Sequence, residues 1–112
     1  MQIKKFKLSE KQLEQLVDKV GSCIATDKIT VEGLLVGYMY RTEPEFDSDS
    51  GWRFFSGTES QEYVDNPNNS MIYSVNTIAN YDKAIIPFLE FDIGTELERT
   101  IDNIFITVVH DK

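Results

Sequence analysis

The chain has 112 residues, room for one domain of ordinary size and no second core. Leu, Ile, Val and Phe account for 33 of the 112, which excludes a chain too polar to fold. Eleven Lys and Arg against 19 Asp and Glu leave a formal charge of −8, so phosphate is repelled, nucleic acid and anionic membrane are disfavoured, and basic proteins stay open as partners.

Ser9 and Gln12 have the spacing of a capping box, and Leu8 before the cap can close on Leu13. Leu13, Leu16, Val17 and Val20 then follow at i, i+3, i+4 and i+7, which predicts an amphipathic helix that Gly21 ends, with Lys11, Glu14, Asp18 and Lys19 on its solvated face. Past Gly21 the helical period disappears. CIAT (23–26) and LLVGYMYRT (34–42) are rich in β-branched and aromatic residues and predict strands. Between them DKITVEG holds a candidate short strand at Ile29 to Val31 and a turn at Glu32-Gly33. GWRFFSG (51–57) predicts the next strand and MIYSV (71–75) another. ESQEYVD between these two predicts one helical turn, and NPNN a turn, because Asp65-Asn66-Pro67 bars a continuing helix.

Asn76 is placed to cap a short helix at TIAN, and Asp82 to cap a second at KAIIPFLE, where Pro87 limits the length. ELERTI and IFITVV flank Asp102-Asn103 as the arms of a hairpin whose turn lacks the usual glycine. The expected fold is therefore α+β in a single domain over 1–112: an N-terminal amphipathic helix packed on a mostly antiparallel sheet of about five strands with short inserted helices.

No stretch approaches the ~18 apolar residues of a membrane span. MQIKKFKLSEKQ lacks the apolar core of a secretory signal, so the chain is expected in the cytoplasm. Cys23, the only cysteine, can form no internal disulfide, and its ordinary role is a buried small side chain. In that compartment the sequon Asn68-Asn69-Ser70 carries no meaning.

Catalytic signals are sparse. His110, the single histidine, stands beside the C-terminus, where a general base is poorly held. No glycine loop for phosphate and no Cys or His pair with zinc spacing occurs, so no enzyme activity and no cofactor are expected. Carboxylates are the abundant polar group. In EPEFDSDSGW they alternate at Glu43, Glu45, Asp47 and Asp49, but as a calcium loop counted from Asp47 the glycine falls one place early and Thr58 stands where a bidentate Glu belongs. Such a run most often marks a solvated loop, and otherwise a partner-facing patch. Trp52 and Phe54 share one face of their strand and Arg53 and Phe55 the other, so this strand is expected to be central, and its rings, with Tyr38, Tyr40, Tyr63 and Tyr73, to serve the core. A ring left open beside the acidic loop would serve as an anchor for a partner.

Four segments in this order, ITVEGLLVGYMYRTEP, DSGWRFFSG, EYVDNPNN and YSVNTIANYDKAIIPFL, resemble a family of small bacterial proteins once catalogued as a domain of unknown function and now described as immunity-protein-like domains of polymorphic toxin systems. The resemblance is strongest over 22–99 and most specific in GWRFFSG and NTIANYD. It implies a cytoplasmic protein that binds and neutralises a cognate toxin without catalysing a reaction, and it carries no active-site assignment. Combined with the charge, it directs attention to an acidic surface facing a basic toxin domain. Between Glu43 and Asp65 seven carboxylates stand against one Arg, and the candidate partner-binding residues are Glu43, Glu45, Phe46, Asp47, Asp49, Trp52, Arg53, Glu59, Glu62 and Asp65. The alternative is a small-ligand or regulatory domain in which Asp65, Asn66, Asn69, Asn76, Asn80 and Asp82 converge on a pocket.

Overall fold

In the computed structural model, residues 4–109 are described. The N-terminal apolar stripe does not build a helix. Ser9 N–H donates to Gln12 Oε1 at 2.8 Å and Gln12 N–H to Ser9 O at 2.9 Å, yet only the 3₁₀ turn Glu10–Gln12 forms, and Leu13 is already extended. From there the chain runs as a strap whose Leu16, Val17 and Val20 still pack against the core. Its backbone polar groups find partners outside the segment. Asn76 Oδ1 accepts from the amides of Leu16 at 2.7 Å and Val17 at 3.0 Å, Asn80 Oδ1 accepts from Glu14 N–H at 2.9 Å, and both asparagines donate to Glu14 O. A helix offers carbonyls for those amides; here two side chains supply them, so the apolar stripe is buried without the helical period being used.

The sheet has six strands, because both arms of the C-terminal hairpin join it. Its order is β4-β1-β3-β2-β5-β6, with β1 Ser22–Thr26, β2 Tyr38–Arg41, β3 Asp49–Phe55, β4 Ser70–Ser74, β5 Glu96–Arg99 and β6 Phe105–Thr107. Only β1 and β3 run parallel; the other pairs are antiparallel. Between β1 and β2, where Ile29 to Val31 had the composition of a strand, the chain makes the helical turn α1, Asp27–Thr30, which buries Ile29 and Thr30. Residues 34–36 stay outside the ladder, since Leu34 N–H donates to Lys28 O at 3.0 Å and Val36 N–H to Asp82 Oδ2 at 3.0 Å, while Gly37 still bonds Phe55 and Arg99 of the neighbouring strands. In the hairpin turn Asn103 adopts φ 62°, the conformation a glycine would otherwise supply.

Two more helical turns follow β3. The segment ESQEYVD forms α2, Gln61–Asp65, capped by Ser60. Helix α3, Val75–Tyr81, is capped two residues before the predicted cap: Ser74 Oγ accepts from Thr77 N–H at 3.1 Å, and Asn76 lies inside the helix with its side chain turned to the strap. Asp82 caps the 3₁₀ stretch Lys83–Phe88 as expected, accepting from Ala84 N–H at 3.1 Å. On one face of the sheet lies the core, built from Cys23, Ala25, Met39, Trp52, Phe54 and Leu97 with Ile78, Ala79 and Ile85 from the covering helices. Burial in this layer pushes the Cys23 thiol far up, so it remains an inert apolar side chain.

Asn76→Ala is expected to free the strap rather than unfold the sheet. The amides of Leu16 and Val17 lose their partner while Glu14 O keeps Asn80, a loss of about 1–3 kcal/mol, and hydrogen exchange should accelerate at Leu16 and Val17 while the amides of β3 stay protected.

Candidate functional site

The predicted partner-binding residues separate into buried and exposed groups. Arg53 Nη1 and Nη2 grip Asp49 Oδ1 and Oδ2 at 3.0 and 2.8 Å, and Nη2 also reaches Glu45 Oε1 at 2.8 Å. The Asp49 side chain is 0 % exposed and that of Arg53 5 %. Asp49 further accepts from the amides of Glu45 and Gly51, both at 2.8 Å, so it ties the loop 42–48 to the start of β3. The Arg53 guanidinium beside it, helped by these amides against the opposing effect of burial, lowers the Asp49 carboxyl to about 2. Trp52 is fully buried, its Nε1 donating to Leu89 O at 3.0 Å. These three residues are therefore interior, because β3 is the central strand and both its faces are covered along Trp52 and Arg53.

Glu59 is also engaged within the fold. Its carboxylate accepts from the Thr26 hydroxyl at 2.5 Å and from the amides of Ser56 at 2.8 Å and Gly57 at 2.9 Å. Burial alone would raise its pKa, but those donors outweigh it and the net shift is downward. Phe46 is half-buried under the Arg53 guanidinium, 5.9 Å from its ring centre. Glu43, Asp47, Glu62 and Asp65 are exposed, and Glu45 keeps 66 % of its side chain open despite its contact with Arg53. They do not form one continuous run. Glu43, Glu45 and Asp47 precede β3 and Glu62 and Asp65 follow it, with a seven-residue strand of about 20 Å between.

The accessible surface lies instead on the second face of the sheet. Strand register sets Ile106, Glu98, Tyr38 and Phe55 in one row across β6, β5, β2 and β3, and Glu96, Tyr40, Arg53, Ile24 and Ile72 in the next. Among the described residues no helix covers the middle of these rows. Tyr38, Tyr40 and Phe55 remain half-exposed and mutually packed, with ring centres 5.6 to 6.0 Å apart. They floor a groove of about 630 Å³ walled on one side by Ser56–Glu59, Gln61 and Val64 and on the other by Glu98. A smaller hollow of about 170 Å³ continues it over Ile24 and Arg53 towards Tyr63. Tyr38 Oη donates to Glu96 Oε2 at 2.6 Å, and burial together with this carboxylate drives the phenol pKa well upward, so the ring stays neutral. Of the exposed loop carboxylates, Glu45 reaches this face through its contact with Arg53, the strand partner of Tyr40. Tyr38, Tyr40, Phe55 and Glu98 thus form the accessible surface that the sequence reading assigned to packing or passed over. The signal was present in the two-residue spacing of Tyr38 with Tyr40 and of Glu96 with Glu98, which places each pair on one face.

The residues proposed for a ligand pocket do not converge. Asn76 and Asn80 hold the strap; Asp82 is buried against Arg99 Nη1 at 2.6 Å; Asn66 caps the turn Pro67–Asn69; Asn69 donates to Tyr63 O; and Asp65 accepts from Gln61. Among the described residues no group of three or more His, Cys, Asp or Glu is placed to hold a metal ion. His110 lies outside the described residues. No described helix is long and apolar enough to cross a membrane.

A family model described as the Immunity protein Imm33 domain matches residues 23–109. No curated protein and no solved structure is matched by the chain.

Proposed function

Because the chain belongs to the Immunity protein Imm33 domain family, we propose that it is an immunity-type protein of a polymorphic toxin system, which binds a cognate bacterial toxin and neutralises it without catalysing a reaction. The observation that carries the mode of binding is the uncovered sheet face. It presents aromatic rings in a groove, with carboxylates around it, on a molecule of net charge −8. Aromatic rings in a groove provide the anchors that dominate protein interfaces, and the surrounding negative charge selects a basic partner and speeds its arrival. Occlusion of the toxin's working surface is enough for protection. A cytoplasmic place of action fits this role, since a toxin delivered into or made in the cell is met there.

The direct test screens the purified chain against the C-terminal domains of candidate toxins from the same cell, and reads complex formation together with toxin activity. Toxin activity that persists under stoichiometric excess of the chain rejects the reading. The exposed acidic loop has its own signature. Reversing Glu43 and Asp47 to Lys is expected to slow association roughly tenfold at low salt, with a difference that shrinks as salt rises and a dissociation rate that hardly moves. Stopped-flow rates at several salt concentrations check this. Both side chains are exposed, so the variant should remain folded.

A further inference from the structure

Resting on the partner-binding role of this face, we propose that the groove is a receptor for one arginine side chain of the partner, laid over Tyr38, Tyr40 and Phe55 and ion-paired with Glu98. The rings of Tyr40 and Phe55 lie within 15° of parallel with centres 5.8 Å apart, and Tyr38 leans on both, so together they make an aromatic floor. A planar guanidinium stacks on such a floor and is drawn to it by the ring quadrupoles. Strand pairing sets Glu98 directly beside Tyr38, exposed and on the same face. It is therefore available to accept from a cation resting on the rings.

The charges nearby leave this place open to a cation. Arg53, the positive side chain of the same face, is committed to Asp49 and Glu45 beneath the surface. Arg99 borders the groove, but its Nη1 is held by Asp82 at 2.6 Å and its guanidinium lies over the Phe105 ring at 4.9 Å. An apolar side chain in this position would strip water from Glu98 without giving it a partner, and an acidic one would meet Glu96 and Glu98 head on. Phosphate-bearing ligands are rejected by the same carboxylates, although their bases would stack well on the rings. A cationic side chain satisfies both the floor and the rim.

The experiment follows the aromatic side-chain NMR signals of the full chain during titration with acetyl-Gly-Arg-Gly-amide, with the isosteric citrulline peptide, which keeps the shape and loses the charge, and with the arginine peptide on Glu98→Gln. Saturable shifts at Tyr38, Tyr40 and Phe55 are expected with the arginine peptide. Binding at least about fivefold weaker is expected in each of the other two titrations. No saturable shift at these rings, or equal affinity for the arginine and citrulline peptides, overturns the assignment, as does an unchanged affinity in Glu98→Gln. If the arginine peptide fails while the chain still blocks the toxin, the side-chain assignment falls and the immunity reading stands. If the arginine peptide binds as expected and toxin activity persists, the immunity reading falls and the receptor assignment holds.

Discussion

Arg53→Met is expected to lower the free energy of unfolding by about 3–5 kcal/mol, because it removes the partner of a carboxylate with no access to water. Asp49 would keep its two amide donors and lose the two guanidinium contacts at 2.8 and 3.0 Å, leaving a buried charge half compensated. Out of a typical total of about 5–15 kcal/mol this is a large share. Urea titration is the appropriate measurement, with a lower midpoint and an unchanged slope as the expected result. The same pair predicts a pH dependence. The Asp49 carboxyl stands at about 2 in the folded state, below its ordinary value, so its contribution is fully present above that ordinary value near pH 4 and is lost as pH falls from there through 2. Its size is on the order of 2 kcal/mol. In Arg53→Met that acid-labile part should largely vanish. A wild-type-like midpoint in Arg53→Met would show that the pair contributes no net stability, and an acid transition retained in that variant would assign it to other groups.

Trp52→Ala should cost a similar amount, about 3–5 kcal/mol, by a different route. The indole is fully buried, stacks on Phe54 with ring centres 6.0 Å apart, lies under the Arg41 guanidinium at 5.7 Å, and donates to Leu89 O at 3.0 Å. Alanine leaves a cavity that the central strand cannot close, since β1 and β2 hold it on both edges. Trp52→Phe separates the two losses: it refills most of the volume and sacrifices the hydrogen bond, for about 1–2 kcal/mol. Thermal melts of the three proteins check the order. A full loss of toxin binding by Trp52→Ala with wild-type stability would contradict the interior placement and restore Trp52 as a contact residue.

Both predictions concern residues that one-dimensional reading placed at the partner surface. Charge run and ring together in EPEFDSDSGWRFF suggested an exposed anchor beside an acidic loop. The tertiary structure turns half of that segment inward. Within it Asp49 and Arg53 neutralise one another, Trp52 enters the core, and Glu43, Glu45 and Asp47 remain outside. No local pattern distinguishes a carboxylate that will meet an arginine four residues later on a strand from one that will face water, because the difference lies in whether β3 is covered.

The N-terminal stripe teaches the complementary point. Leu13, Leu16, Val17 and Val20 carry the helical period without ambiguity, and the capping contact of Ser9 with Gln12 forms, yet no helix follows the 3₁₀ turn: Leu13 is extended and the strap bends on to Lys19 at φ 58°. Periodicity reports which residues want burial, not how their amides will be satisfied. Asn76, which has the position of a cap, and Asn80 supply those hydrogen-bond partners from 59 or more positions away.

By itself the sequence determined the α+β class, all six strand positions to within a few residues, the Ser60 to Asp65 turn, the Asp82 cap and the family, whose model matches residues 23–109. These depend on side-chain alternation, turn chemistry and short motifs, all local along the chain. The tertiary structure alone decided the strap, the order β4-β1-β3-β2-β5-β6 and the identity of the open face. Tyr38, Phe55 and Glu98 are separated by as much as 60 positions in the chain and become neighbours only because β2 pairs with β3 on one edge and β5 on the other. Which face a helix then covers is a long-range packing outcome, and the free energy that settles it is spread over every strand pair and every buried side chain at once.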